Sequence, residues 1–124
     1  MKLRTMFIIA AVVALVYAVG LILMPATLNT MYGMTSDAAT QLLAQFFGVG
    51  LLTLGLINWL AKDFTGANAR PLLIAGVIGN AVGVIVSVMG TLSGAMSSTG
   101  WSAVVIYLLL GLGWAYFLFM APSR

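Results

Sequence analysis

Five polar side chains stand inside long apolar runs of this 124-residue chain: Tyr17, Gln45, Asn80, Ser87 and Tyr107. They offer two amides, two phenols and a hydroxyl. Such groups donate and accept hydrogen bonds but carry no charge near neutral pH. Chemistry beyond binding needs more. The chain has no histidine, no cysteine and no glutamate, and its two acids are Asp37 and Asp63. A nucleophile–base pair, a carboxylate dyad and a metal-ligand cluster are therefore out of reach. No catalytic residue, no metal and no cofactor are expected, and the protein reads as non-enzymatic. Asp37 invites an ion-site reading, but one carboxylate just before a helix is better explained as a cap.

The elements that must hold these five groups are membrane helices. Hydrophobic residues make up 63% of the chain and charged ones 6%, against about 25% charged in ordinary soluble domains. A small soluble domain leaves too much of its surface in water to hide that apolar content. Lipid is the consistent solvent. Five basic residues without a cluster make no nucleic-acid footprint. A bilayer core needs about 20 apolar residues of helix. Four runs qualify: 6–24, closed by Pro25; 41–61, ended by Lys62; 72–92; and 102–120. The last two are divided at the turn-forming stretch S-G-A-M-S-S-T-G-W. The expected fold is all-α, a single-domain four-helix transmembrane bundle running up-down-up-down.

Four spans put both termini and the loop A-K-D-F-T-G-A-N-A-R on one side. Lys2, Arg4, Lys62, Arg70 and Arg124 all fall there, while the opposite loops carry only Asp37. Basic residues stay in the cytoplasm during insertion. The expected topology is N-in and C-in, in a bacterial-type cytoplasmic membrane. The start M-K-L-R followed by an apolar run resembles a signal peptide. That run exceeds the usual length of about 7 to 15 residues, so it reads as a retained first helix.

Pro71 suits the first turn of the third span. Ser36 and Asp37 precede the second, and Ser102 opens the fourth. Between Pro25 and Gly33 a short interfacial helix is expected, with Leu28, Met31 and Tyr32 on one face. Trp59, Phe64, Trp101, Trp114 and Tyr116 lie near span ends and read as an aromatic belt.

Small residues recur at helical spacing. The third span carries Gly76, Asn80, Gly83, Ser87, Gly90 and Gly94 on one face, and the second Gln41, Gln45, Gly48, Leu52, Gly55 and Trp59. The first offers Ala10, Ala14 and Ala18, and the fourth Tyr107, Gly111 and Trp114. Small residues let helix backbones approach in lipid. Gly48, Gly55, Gly76, Gly83 and Gly90 are thus the expected packing positions. At helical rise, Asn80 lies about 12 Å above the inner surface, Tyr17 and Tyr107 about 17 to 20 Å, and Ser87 and Gln45 about 22 to 25 Å. An amide at such depth needs a partner. These groups either pair across packed helices or line a neutral pocket.

Two functional readings follow. The first is a protein acting through helix association, as a homo-oligomer or an accessory subunit beside another membrane protein, with lipid as its constant partner. The alternative is a binder or conduit for a small neutral or lipidic molecule. Proton-coupled transport normally uses a titratable group within the membrane, and no span contains an acid. The embedded glutamate of small multidrug transporters, the motifs of bacterial fluoride channels and the arginine-rich motifs of eicosanoid and glutathione membrane enzymes are all missing.

The stretch from Met6 to Lys62 contains P-x-x-L-x-x-M-Y-G and then D-A-A-T-Q-L-L-A-Q-F-F-G-V-G-L-L-T-L-G-L-I-N-W-L-A-K. It resembles small bacterial four-helix integral membrane families of uncharacterised function. The resemblance implies a fold and names no substrate. A basic residue is common in such families near the position held here by Gln45, so a charge-based role there does not carry over.

Overall fold

The computed structural model describes residues 1–120. Every regular element among them is helical: α1 (Leu3–Leu23), α2 (Pro25–Met31), α3 (Ala38–Leu60), α4 (Gly66–Leu92) and α5 (Gly100–Ala115), which continues as a π-helical turn over Tyr116–Met120. Helices α1, α3, α4 and the continuous Gly100–Met120 stretch are long and apolar enough to cross a membrane.

Local chemistry sets the ends. Pro25 has no N–H, so α1 stops, Met24 leaves helical geometry at φ −134° and ψ 56°, and α2 starts with Pro25 in its first turn. Gly33, at φ +71°, turns the chain out of α2 in a conformation other residues resist. At the start of α3, Asp37 and Thr40 form a reciprocal cap. The Thr40 N–H donates to Asp37 Oδ1 at 2.8 Å, and the Asp37 N–H donates to Thr40 Oγ1 at 3.0 Å.

Three boundaries differ from the sequence expectation. Helix α4 begins at Gly66, so Pro71 lies inside it rather than in its first turn. The hydrogen bond Pro71 cannot make would fall on Ala67, which is exposed, so outside solvent can satisfy that carbonyl. Helix α5 begins before Ser102, whose hydroxyl donates back to Thr99 O at 2.6 Å instead of capping. Gly94 falls beyond α4, in a turn at φ +84°, and so leaves the face shared by the other small residues.

The long helices associate in two pairs, α1 with α3 and α4 with α5. In the first pair, a methyl carbon placed on Gly48 would lie 3.0 Å from Leu21 Cβ, and one on Gly55 would lie 2.8 Å from Leu15 Cδ2. In the second, a carbon on Gly76 would lie 2.6 Å from Trp114 Cδ1, and one on Gly83 would lie 2.6 Å from Tyr107 Cε1. Gly90 faces Met96 of the following turn rather than another helix. The two pairs meet at one end in a core of Leu3, Met6, Phe7 and Ala10 with Ala61, Ala69, Leu73, Trp114 and Phe117. The start of α1, the end of α3, the start of α4 and the end of α5 therefore lie together. Lys2, Arg4, Lys62 and Arg70 flank that core, and we refer to this as the basic end; Arg124 lies outside the described residues.

Trp114 does not join an aromatic belt. It is buried in this core, edge-on to Phe7 with ring centroids 5.0 Å apart. Trp59, Phe64, Trp101 and Tyr116 are exposed.

Two predictions follow from this packing. Gly83→Leu must displace the Tyr107 ring and should cost about 1 to 3 kcal/mol, whereas Val86→Leu, on a 62% exposed position, should stay within about 0.5 kcal/mol of wild type. Melting in detergent measures the difference. At the α3 cap, the Thr40 N–H and then the Thr40 side chain hold the Asp37 carboxyl below the usual carboxylate range. A lowered folded-state pKa gives stability above the unfolded pKa and loses it as pH falls through the folded one. The protection of the amides of residues 38–41, the intrinsic exchange rate divided by the observed one at each pH, should therefore fall below about pH 4.

Candidate functional site

The five polar residues do not converge on one cavity. They divide into three groups, each with its own cause.

Gln45 serves the end of α1. Because Pro25 interrupts the backbone ladder, the last carbonyls of α1 need outside donors. Gln45 Nε2, reaching from α3, donates to Ile22 O at 3.1 Å. One turn earlier on α3, Gln41 Nε2 turns to Ser36, 3.4 Å from both its carbonyl and its hydroxyl.

Asn80 and Ser87 serve their own helix. Asn80 Nδ2 donates to Gly76 O at 2.7 Å, and Ser87 Oγ donates to Gly83 O at 2.6 Å. Thr53 behaves alike, donating to Val49 O at 3.2 Å, and is exposed rather than opposite Asn80. Asn58 donates to Leu54 O and Thr91 to Ser87 O. Each of these side chains shares a carbonyl that a helical N–H already occupies, the cheapest way to bury a donor in an apolar solvent.

Tyr17 belongs to the far end, opposite the basic one. Its hydroxyl lies 3.2 Å from that of Tyr32, which lies 3.4 Å from Ser102 Oγ. This chain of hydroxyls links α1, the end of α2 and the start of α5. Beside it the Ser97 N–H donates to Tyr32 O at 2.7 Å, and Ser97 Oγ donates to Met31 O at 3.3 Å. Gly33 is forced here twice over, by its positive φ and because a carbon on it would lie 2.7 Å from Ser97 Cβ. Tyr107 presents its ring to Gly83 on α4.

The sequence reading missed Asn29. Helix α2 buries Leu28, Asn29 and Tyr32 more than Met31, which is 54% exposed. The helical wheel accounts for it: positions 25, 28, 29 and 32 share one face, and Met31 falls at its edge. Leu28 packs on Gly20 of α1. Asn29 is 7% exposed, and its Nδ2 has no hydrogen-bond partner among the described residues. A buried unpaired amide costs free energy, which makes Asn29 the most chemically conspicuous group at the far end. The opposite side of α2 bears only a shallow depression lined by Ala26, Thr27, Thr30 and Met31. No group of three or more histidine, cysteine or acidic residues that could hold a metal exists among the described residues.

The two amides should respond differently to removal. Gln45→Leu strands the Ile22 carbonyl and should cost about 1 to 3 kcal/mol. Asn80→Leu strands nothing, because Gly76 O keeps its helical partner, and should cost less, below about 1 kcal/mol. Melting curves of the two variants in one detergent would check the order; equal shifts would refute it.

Compared with described protein families, with curated proteins and with solved structures, the chain matches none.

Proposed function

We propose that this is a four-span protein of the cytoplasmic membrane, N-in and C-in, that is not an enzyme and acts by helix association with itself or with another membrane protein. The observation that carries the reading is a pair of outward glycines. At Gly50 of α3 and Gly79 of α4, apart from the adjoining residues and the local backbone of the same helix, no atom among the described residues lies within 4 Å of the place a side chain would start. Ala75, one turn before Gly79, is likewise exposed. Glycine weakens a helix interior by about 1 kcal/mol against alanine, and close approach of a further backbone offsets that cost in lipid. The polar groups along α3 and α4 support the same reading, since their donors are spent on helix carbonyls rather than aimed at a ligand.

The orientation rests on the basic end. Lys2, Arg4, Lys62 and Arg70 gather there, and translocating them would oppose the charge bias. A cysteine at Ala67 should resist an impermeant thiol reagent applied outside intact cells, while one at Thr35 should react. Labelling at Ala67 would reverse the orientation.

One observation favours the second reading, a binder of a small neutral or lipidic molecule: the unpartnered Asn29 amide beside the Tyr17–Tyr32–Ser102 chain. Native mass spectrometry of the purified protein separates the two. Association gives an oligomer or a co-purified protein, and Gly79→Leu returns it to a monomer. A monomeric wild type carrying a small molecule that Asn29→Leu loses would replace the first reading with the second.

A further inference from the structure

The placement of the basic side chains is more specific than a bias between two sides. Leu3, Ala61 and Ala69 all belong to the single core that joins the helix pairs. Each is followed directly by a basic residue: Arg4, Lys62 and Arg70. Burial of three chain segments in one core therefore brings three basic side chains to one rim.

Their partners divide them. Arg4 Nε donates to Asp63 Oδ1 at 2.8 Å, and Asp63 is the one acid at this end. Arg4 and Asp63 neutralise each other. Lys62 and Arg70 find no carboxylate among the described residues. Lys62 Nζ donates to Trp59 O at 3.3 Å and stands 4.5 Å from the centroid of the Trp59 ring, which leaves two of its three N–H groups for a ligand. Arg70 is exposed and makes no side-chain hydrogen bond among the described residues. The start of α4 lies between them in sequence and has no acid in its first turn, so its positive dipole end is not offset.

The surroundings state the kind of partner. Trp59 is 42% exposed and Phe64 45% exposed, and such rings settle at headgroup level in a bilayer. Two cations without a carboxylate, at the end of the molecule that also carries two exposed aromatic rings, match a molecule with a phosphate at one end and hydrocarbon at the other. We infer that Lys62 and Arg70, flanked by Trp59 and Phe64, form a docking site for the phosphate of an anionic phospholipid. Arginine supplies a planar fork for two phosphate oxygens and lysine a point charge. The acyl chains then run along the apolar surface of α3 beside Trp59, where Leu56 and Leu60 are exposed.

This inference rests on the membrane placement proposed above, and its test does not depend on sidedness. The full chain in detergent is titrated with phosphatidylglycerol and, separately, with phosphatidylcholine of the same acyl chains, and bound lipid is read by native mass spectrometry. Phosphatidylglycerol should be retained about tenfold more strongly. The double variant Lys62→Gln, Arg70→Gln should bring the two lipids to parity while its circular dichroism and melting stay unchanged. Lys2→Gln should keep the preference, and inorganic phosphate at matched ionic strength should not displace the lipid. Equal retention of both lipids by wild type would overturn the site. So would an undiminished preference in the double variant, an equal loss in Lys2→Gln, or displacement by phosphate alone. Failure of the membrane placement itself would appear instead in the Ala67 labelling.

Discussion

Phe7 meeting Trp114 edge-on is the contact through which two helix pairs become one molecule. Within each pair, small residues let backbones come close. Between the pairs, large side chains fill the gap, with Phe7, Leu3 and Leu73 wholly enclosed. Trp114 has two roles at once, since its other side covers Gly76 on α4. The ring thus fixes the spacing of α4 against α5 and the spacing of both against α1. Helix α1 is the most enclosed of the four long helices, packing along its length on α3 and near its start on the other pair. Its Ala11, Leu15 and Ala18 meet α3, and its Leu3, Phe7 and Ala10 meet the other pair.

A second constraint shapes the remainder: in an apolar solvent each backbone polar group must find its partner inside the protein. Pro25 creates a local deficit, and the glutamine placed opposite on α3 supplies a donor. Asn58, Asn80 and Ser87 create no deficit because they share carbonyls of their own helix. Asn29 stands apart from this pattern as a buried donor with no partner among the described residues. The far end of the molecule therefore differs from the basic end in kind. One end is closed by aromatic and aliphatic bulk, the other by a short chain of hydroxyls and two bonds from Ser97.

Much of this was legible in the sequence. The four long apolar helices, the short helix after Pro25 and the Asp37 cap follow from run length, the missing proline N–H and a short carboxylate before a helix. The side chains that face Gly76 and Gly83 were not legible, because spacing marks a face without saying which helix lies across from it. Trp114 misled for a related reason: tryptophan near a span end satisfies the rule for interfacial rings, and only tertiary contact shows that it points inward. Gln45 was recognised as a group that needs a partner. Its acceptor, a carbonyl left open where α1 breaks at Met24 before Pro25, lies on another helix and has no local signature. Asn29 escaped notice because its segment reads as interfacial in the sequence, where an amide ordinarily meets water.

The hydroxyl chain at the far end carries a consequence for the order of events during synthesis. Tyr32 lies 70 positions before Ser102, and Ser97 Oγ reaches a carbonyl 66 positions earlier. By contrast the α1–α3 pair is complete once the ribosome has passed residue 60. Helix α2 therefore emerges early and waits, its Tyr32 hydroxyl and its Met31 and Tyr32 carbonyls without their later partners, until the turn before α5 arrives. The nascent chain passes through an interval in which the far rim of its first half stands open, and the rim closes only when the turn before α5 and the start of α5 have been made.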